Sequence, residues 1–494
     1  MRAFLGGRVP RASGADATAL LADQGRIVAV GTDEEIRSRL SAGAECVDLR
    51  GGMLLPAFQD AHLHLCQLGR YLSRPNLGAC ASLDEALREV SAALRRPGRG
   101  VLFAEGFDQS RWPEARFPTR TELDRLEKDR PVVVRRVCGH IAVANEGALR
   151  RIPEGTPHVN RTSGLLEEEA VFRLESDFFP PSGGEIADAI ARAEEEAFSF
   201  GITTVHEIDT PAVCRGYEAL DREGKLRMRT FFYVYAPVEE ADRLRRSSGR
   251  GNFRVAGAKV FLDGSVGGKT AALSEPYAGG GEGVLLVERE EITRILEEAE
   301  SAGLAVAFHG IGDRAVDELV AVYEERFLPA PTSLLHRIEH AELLSEGTAE
   351  RIRRLGLRLC MQPNFPARWG GEGGMYEERV GPERAKRMNR IGSWVRRGIP
   401  VAFGSDGMPM DPFYGLRGAM EHPAPEERLS FADAIRCYTS SAESFVEGGG
   451  AGELRAGKRA DFIELDRDPR SEAPLVREEL RRTVAAGEIV YERG

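Results

Sequence analysis

Cysteine is scarce in this chain. The seven thiols among 494 residues (Cys46, Cys66, Cys80, Cys138, Cys214, Cys360 and Cys437) are odd in number, widely scattered and without a C-x-x-C. That argues against a disulfide framework or a structural zinc ribbon, and for reduced thiols in a cytoplasmic setting. Long apolar runs are also missing: no stretch approaches the ~20 apolar residues of a membrane span. The N-terminus, Met1 to Arg8, has too short an apolar core for a signal peptide. No basic run stands out, and 67 Lys and Arg against 78 Asp and Glu leave a net charge of -11. Nucleic acid and anionic membranes are therefore poor partners. Internal repeats and low-complexity tracts are absent.

What is present is the profile of a globular protein, 42% hydrophobic and 29% charged. At this length one ordinary compact domain is exceeded, but a large barrel with an insertion fits. Residues 1–52 are short β-type pieces with turns, and residues 451–494 look alike. Neither end has enough apolar surface for its own core, so the two are expected to pair into one small β-sandwich. The loop Gly448 to Gly452 marks the return into it.

Between them, over residues 53–450, short apolar runs alternate with charged helical segments, the pattern of βα units. Candidate parallel strands are 53–58, 202–206, 229–235, 256–262, 304–309, 334–339, 357–361 and 400–404. Eight is the number that closes a (β/α)8 barrel of the TIM type. Residues 66–182 break the alternation and read as an insertion after strand one, a lid or side lobe.

Active sites of such barrels lie at the C-terminal ends of the strands. The first ends in Asp60-Ala61-His62-Leu63-His64, where strand geometry aims residues i and i+2 at one point. Two imidazoles so placed are a start on a metal site. Further along, strand four carries Lys259, strand five ends in His309, strand six in His340 and strand eight in Asp406. Four imidazoles, a lysine and a carboxylate thus fall where the barrel would converge them.

At this point the chain resembles the amidohydrolase superfamily, in particular its YtcJ-like branch (amidohydrolase family 3), which includes N-substituted formamide deformylase-like proteins. The resemblance spans nearly the whole length. It rests on Asp60 to His64, Gly106-Phe107-Asp108-Gln109 with Trp112, Pro118-Thr119-Arg120, Cys138-Gly139-His140 with Asn145, and Thr162 to Leu166. It continues in Asp263-Gly264-Ser265, His309 to Ala315, His336 to His340, Gln362-Pro363, Gly404-Ser405-Asp406 and Gly457 to Asp461. One departure is Ala57, where that family usually has glycine; no ligand is lost by it.

The resemblance implies one or two divalent ions, with zinc first and iron, manganese or cobalt as alternatives. His62 and His64 would hold the more buried ion, and His309 and His340 the more exposed one. Lys259, carboxylated on its amine, would bridge them, and Asp406 would bind metal and act as general base and acid. A desolvated neutral amine can take up carbon dioxide to become an anionic carbamate, whereas an ammonium would be repelled by two dications. The expected reaction is hydrolysis of an amide-type, non-peptide C–N bond by a metal-activated hydroxide. Alternatives are a one-metal deaminase of a heterocycle, which typically lacks the bridging lysine, and a non-catalytic regulatory member of the fold. Many relatives are dimers, which makes a homodimer an expectation of the resemblance alone.

His140, Gln109, Trp112 and Arg314 are candidate substrate contacts, against surface or packing roles. His336 and His340 compete for one ligand position, and family position favours His340. Gly264 to Thr270 imitates a phosphate-binding loop, but that motif needs four residues between its glycines, and counting back from Gly268 the required position is Asp263, so the spacing is one short.

Overall fold

The computed structural model describes residues 1–11, 15–96, 100–249, 251–328, 332–470 and 475–494. Two compact units are present, one made of residues 1–65 and 193–494, the other of residues 66–192.

The first unit is built on eight parallel strands: β1 (Phe58–Leu63), β2 (Ile202–Asp209), β3 (Arg229–Val234), β4 (Phe253–Phe261), β5 (Ala305–Gly310), β6 (Arg337–His340), β7 (Arg358–Met361) and β8 (Val401–Phe403). They follow one another in sequence order across the sheet, and the result is a (β/α)8 barrel. Most connections carry a helix whose apolar face covers the strands. Arg289–Ala302, for example, buries Ile292, Ile295, Leu296 and Ala299 and ends on Gly303, whose left-handed φ of 63° suits the C-cap.

The seam between β8 and β1 is held by side chain and loop rather than by a ladder. Asp60 accepts hydrogen bonds from the Ser405 backbone N–H (2.9 Å) and hydroxyl, and Asp406 N–H donates to His62 C=O (2.8 Å). The approach is so close that a Cβ on Gly404 would lie 2.5 Å from the backbone N of His62.

Strand one needs a correction. The apolar run expected at 53–58 divides at Ala57: Met53–Pro56 pairs antiparallel with Phe462–Leu465, and the barrel strand is Phe58–Leu63. Continuous hydrophobicity marks burial but not the partner, and Pro56, with no N–H to donate, is suited to a strand end.

Met53–Pro56 thereby joins the strands Phe462–Leu465, Leu480–Ala485 and Glu488–Glu492 in one four-stranded sheet. A second sheet holds Arg2–Leu5, Ala19–Asp23, Arg26–Gly31 and Glu45–Asp48. Both contribute to a common core of Phe4, Leu20, Ile27, Leu49, Leu54, Phe462 and Val484, with the Phe4 and Phe462 rings edge to face at 4.8 Å.

The second unit is organised on a five-stranded sheet in which Leu102–Phe107 and Val132–Arg136 run parallel. Alternation sends Leu102, Ala104, Val132 and Val134 into one apolar layer and Phe103 and Val133 into another. Among the described residues no helix is long and apolar enough to cross a membrane.

Candidate metal centre

The mouth of the barrel collects His62, His64, His309, His340, Lys259 and Asp406, and the chain prepares each in a different way. On β1 the pairing with β2 slips: Asp60 faces Val205 and Leu63 faces Glu207, so one strand takes three steps where the other takes two. A bulge of this kind re-aims the side chains beside it, here Ala61 and His62. His64 follows the strand end.

His340 ends β6 with φ 70°, and Asp406 follows β8 with φ 53°. Non-glycine residues in this left-handed region cost on the order of 1–2 kcal/mol each. The break at His340 also decides between the two histidines of this strand. His336 packs against Tyr323 and Phe327 of the helix Asp313–Phe327 and accepts from Val306 N–H (3.1 Å). His340 instead lies 4.7 Å from His62 and 4.5 Å from His309, ring centre to ring centre.

Hydrogen bonds fix which nitrogen of each ring remains available. His62 Nδ1 donates to Glu339 Oε2 (2.5 Å), His64 Nδ1 to Ile208 C=O (2.7 Å) and His340 Nδ1 to Gln362 Oε1 (2.8 Å). The acceptors are a carboxylate, a carbonyl and an amide oxygen, so a proton sits on Nδ1 and Nε2 is the nitrogen turned towards the mouth. His309 is the reverse: Nε2 donates to Gly264 C=O (3.0 Å), freeing Nδ1. Oriented imidazoles of this sort are the usual preparation for binding a metal.

The free atoms converge. Asp406 Oδ1 lies 3.2 Å from His64 Nε2 and 3.6 Å from His62 Nε2, and the three residues can offer ligand atoms within 4.8 Å of one another. Lys259, on β4 and level with Ala307 of β5, sits two residues deeper than the His309 position. It is 2% exposed, and its Nζ has no hydrogen-bond partner among the described residues.

Electrostatics matches this crowding. Burial first, then the charge of Lys259, lowers His62 and takes His309 down to about 3. Burial, with His309 and His62 beside it, pushes His340 well below the ordinary imidazole range. The Lys259 ammonium is itself lowered to about 8, chiefly by burial. At Asp406 burial is outweighed by the hydrogen bond to His64 and the surrounding imidazoles, which hold the carboxyl well below its usual range. In return His64, which burial alone would lower, is raised to about 9 by Asp406. Three imidazoles kept neutral, a fourth (His64) whose proton a bound cation would displace, an ionised carboxylate and an amine that burial presses towards neutrality form a donor set suited to zinc, iron, manganese or cobalt.

The comparisons with known proteins agree with this chemistry. The Amidohydrolase family model matches residues 45–491. The chain belongs to the amidohydrolase family. It is 28% identical to the putative amidohydrolase YtcJ of Bacillus subtilis over 96% of both chains. It is also 26% identical to the N-substituted formamide deformylase of Arthrobacter pascens, over 97% of this chain and 95% of that one. Among solved structures, an uncharacterized metal-dependent hydrolase from Pyrococcus furiosus superimposes with a TM-score of 0.85 at 31% identity, over 95% of this chain and 100% of the other. These findings make this amidohydrolase a hydrolase.

The remaining candidates have other surroundings. Arg314 begins the helix after β5 and lies 3.5 Å from Glu282. Within the second unit, Gln109 accepts from Arg136 Nε (2.9 Å). Trp112 is 3% exposed, stacks on Phe107 and donates its indole N–H to Cys80 C=O (3.0 Å). His140 is exposed and faces Glu168 Oε2 at 3.0 Å. In the phosphate-loop lookalike, Lys269 Nζ donates to Ala278 C=O (3.2 Å).

Sequence reasoning missed the acceptors that orient the rings, Glu339 and Gln362 above all. Gln362 follows β7 and was recognisable only as a family match. Glu339 carried a readable signal: Arg337 and Glu339, two apart on a barrel strand, share a face and bear opposite charges. Asp263, too, was recognisable only as part of the family match. Fully buried on its side chain, it accepts from the backbone N–H of Ala272, Ile311 and Gly312 and so ties the loops after β4 and β5 together.

Proposed function

We propose that this amidohydrolase cleaves an amide-type, non-peptide C–N bond of a small molecule at a divalent-metal site. The observation that carries the reading is the cluster of oriented imidazoles beside Asp406, with the Lys259 amine, which has no hydrogen-bond partner among the described residues, buried beneath the same mouth. His62, His64 and Asp406 would hold one ion and His309 and His340 a second, with Lys259 as its carbamate joining the two sets. When bound, such an ion lowers the pKa of a coordinated water towards ~7 and polarises a carbonyl oxygen.

The chain's own residues do the rest. Asp406 accepts the proton of the attacking water and returns it to the departing nitrogen. Gln362, Glu339 and the carbonyls of Ile208 and Gly264 keep the four imidazoles from turning away from the mouth. Specificity would lie in the loops around that mouth.

A second reading has one observation in its favour. His62, His64 and Asp406 are a three-donor set by themselves, which is enough for a single-ion deaminase of a heterocycle. Metal counting on the folded protein, beside an activity screen over N-formyl and N-acyl amines with added Zn, Co, Mn or Fe, separates the two. Two equivalents with release of the free amine are expected. A metal-loaded, folded protein that hydrolyses no amide but deaminates a heterocycle would overturn the proposal.

A further inference from the structure

Inside the barrel, next to His62, lies a charged pair that no step of the hydrolysis uses. Arg337 and Glu339 are both 0% exposed. Arg337 Nε donates to Glu339 Oε1, its Nη2 to Ala61 C=O (2.6 Å) and its Nη1 to His206 Nδ1 (2.7 Å). The guanidinium also lies 4.3 Å from the centre of the Tyr233 ring. Glu339 turns its other oxygen, Oε2, to His62 Nδ1. One arginine therefore grips the carbonyl immediately before His62 and, through Glu339, the ring of His62 itself. Cys360 Sγ donates to the same Ala61 carbonyl at 3.4 Å.

Stability is a poor reason for keeping such a group. Replacing a buried ion pair with apolar side chains of similar volume is often neutral or stabilising, whereas removing one partner leaves an uncompensated charge. What the pair provides is direction. It joins three strands, β1, β2 and β6, at the point where β1 bulges and His62 must face the mouth.

We infer that Arg337 and Glu339 are positioning residues: Glu339 holds His62 with its proton on Nδ1 and its Nε2 towards the metal, and Arg337 fixes both Glu339 and the Ala61–His62 backbone. His206 completes the arrangement as the neutral acceptor that seats the guanidinium. The inference takes His62 to be a ligand and so rests on the metal-hydrolase reading above.

The test removes the pair together, because Glu339→Leu alone strands a buried arginine. The double variant Arg337→Met/Glu339→Leu is expected to melt no lower than the wild-type chain, yet to bind Zn or Co ~10–100-fold more weakly in chelator competition. The visible bands of its Co-loaded form should shift as well. Arg337→Met/Glu339→Gln, which restores an acceptor for His62, should recover most of that affinity. A double variant that binds metal and absorbs as the wild-type chain does overturns the inference.

Ring-nitrogen NMR of the metal-free wild-type chain gives an independent reading, with the His62 signals assigned by their loss in His62→Asn. A proton on Nδ1 is expected; one on Nε2 overturns the inference even where the double variants fail to fold. A wild-type chain that shows the Nδ1 proton but binds no metal refutes the proposed function and leaves the orienting role standing.

Discussion

Lys259 sets stability against function, and replacing it should expose the conflict. Its ammonium is buried without a hydrogen-bond partner among the described residues, and burial lowers it from the usual 10.5 to about 8. A gap of about 2.5 pH units is worth about 3.4 kcal/mol. The sign follows from which form the fold disfavours. Below pH 8 the lysine is protonated in the folded and unfolded chain alike, and the fold bears the whole penalty. Between pH 8 and 10.5 the folded chain releases its proton first, the penalty shrinks, and above 10.5 it is gone. Lys259→Met keeps the length of the side chain and removes the charge. In metal-free, carbon-dioxide-free buffer it should therefore stabilise the first unit by about 3 kcal/mol at pH 7, and this gain should vanish as the pH approaches 10.5.

The assay is chelator-treated thermal unfolding across that pH range. Following Trp369 and Trp394 in a Trp112→Phe background restricts the signal to the first unit. Hydrolysis should be lost in the same variant. A Lys259→Met chain no more stable than the wild type at pH 7 would refute the reasoning, because it would mean that the amine is satisfied in the metal-free fold.

Asp406→Asn retains the shape of the side chain but not its basicity, so kcat should fall by ~10²–10⁴-fold; a variant with its metal and full activity would remove Asp406 from proton transfer. Gly404→Ala would place a Cβ 2.5 Å from the His62 backbone. It should destabilise the first unit by ~1–3 kcal/mol and weaken metal binding, both readable by melting and chelator competition. In the second unit, burial opposes the charge of Glu175, but Arg74, Arg70 and Arg135 outweigh it and hold the carboxyl at about 2 against the usual 4.5. Its contribution is complete above pH 4.5 and is lost as the pH falls towards 2. Glu175→Gln should therefore destabilise residues 66–192 by about 3 kcal/mol at neutral pH. That gap should narrow on acidification below pH 4.5, as followed by limited proteolysis.

Much of the barrel was legible because buried parallel strands read as short apolar runs, and eight of them in alternation with helices leave little choice of fold. The first run misled for a reason of the same kind. Met53–Pro56 and Phe58–Leu63 are both buried, and hydrophobicity alone cannot tell that one pairs with Phe462–Leu465 and the other with β2. At the site, the chemistry-bearing side chains could be picked out at strand ends, whereas their orienting partners could not. Two of those partners are the carbonyls of Ile208 and Gly264, and a backbone acceptor leaves no trace in residue identity. The choice between His336 and His340 likewise depends on a left-handed backbone at residue 340, which the residue type does not announce.

That backbone connects the parts of the site. Regular strands offer one inward side chain in every two, at fixed heights, and six groups cannot reach one point from five strands on those terms. The chain departs from regularity where a group has to be brought in: a bulge beside His62, positive φ at His340 and Asp406, and Gly404 making room at the seam. Each departure gives up a ladder bond or costs strain, and each is secured from nearby. Arg337 and Glu339 secure the first, Gln362 the second, and Asp60, through Ser405, the segment that carries Asp406. Each of these irregularities lies beside a proposed ligand, so the barrel bears strain where the metal is expected to bind.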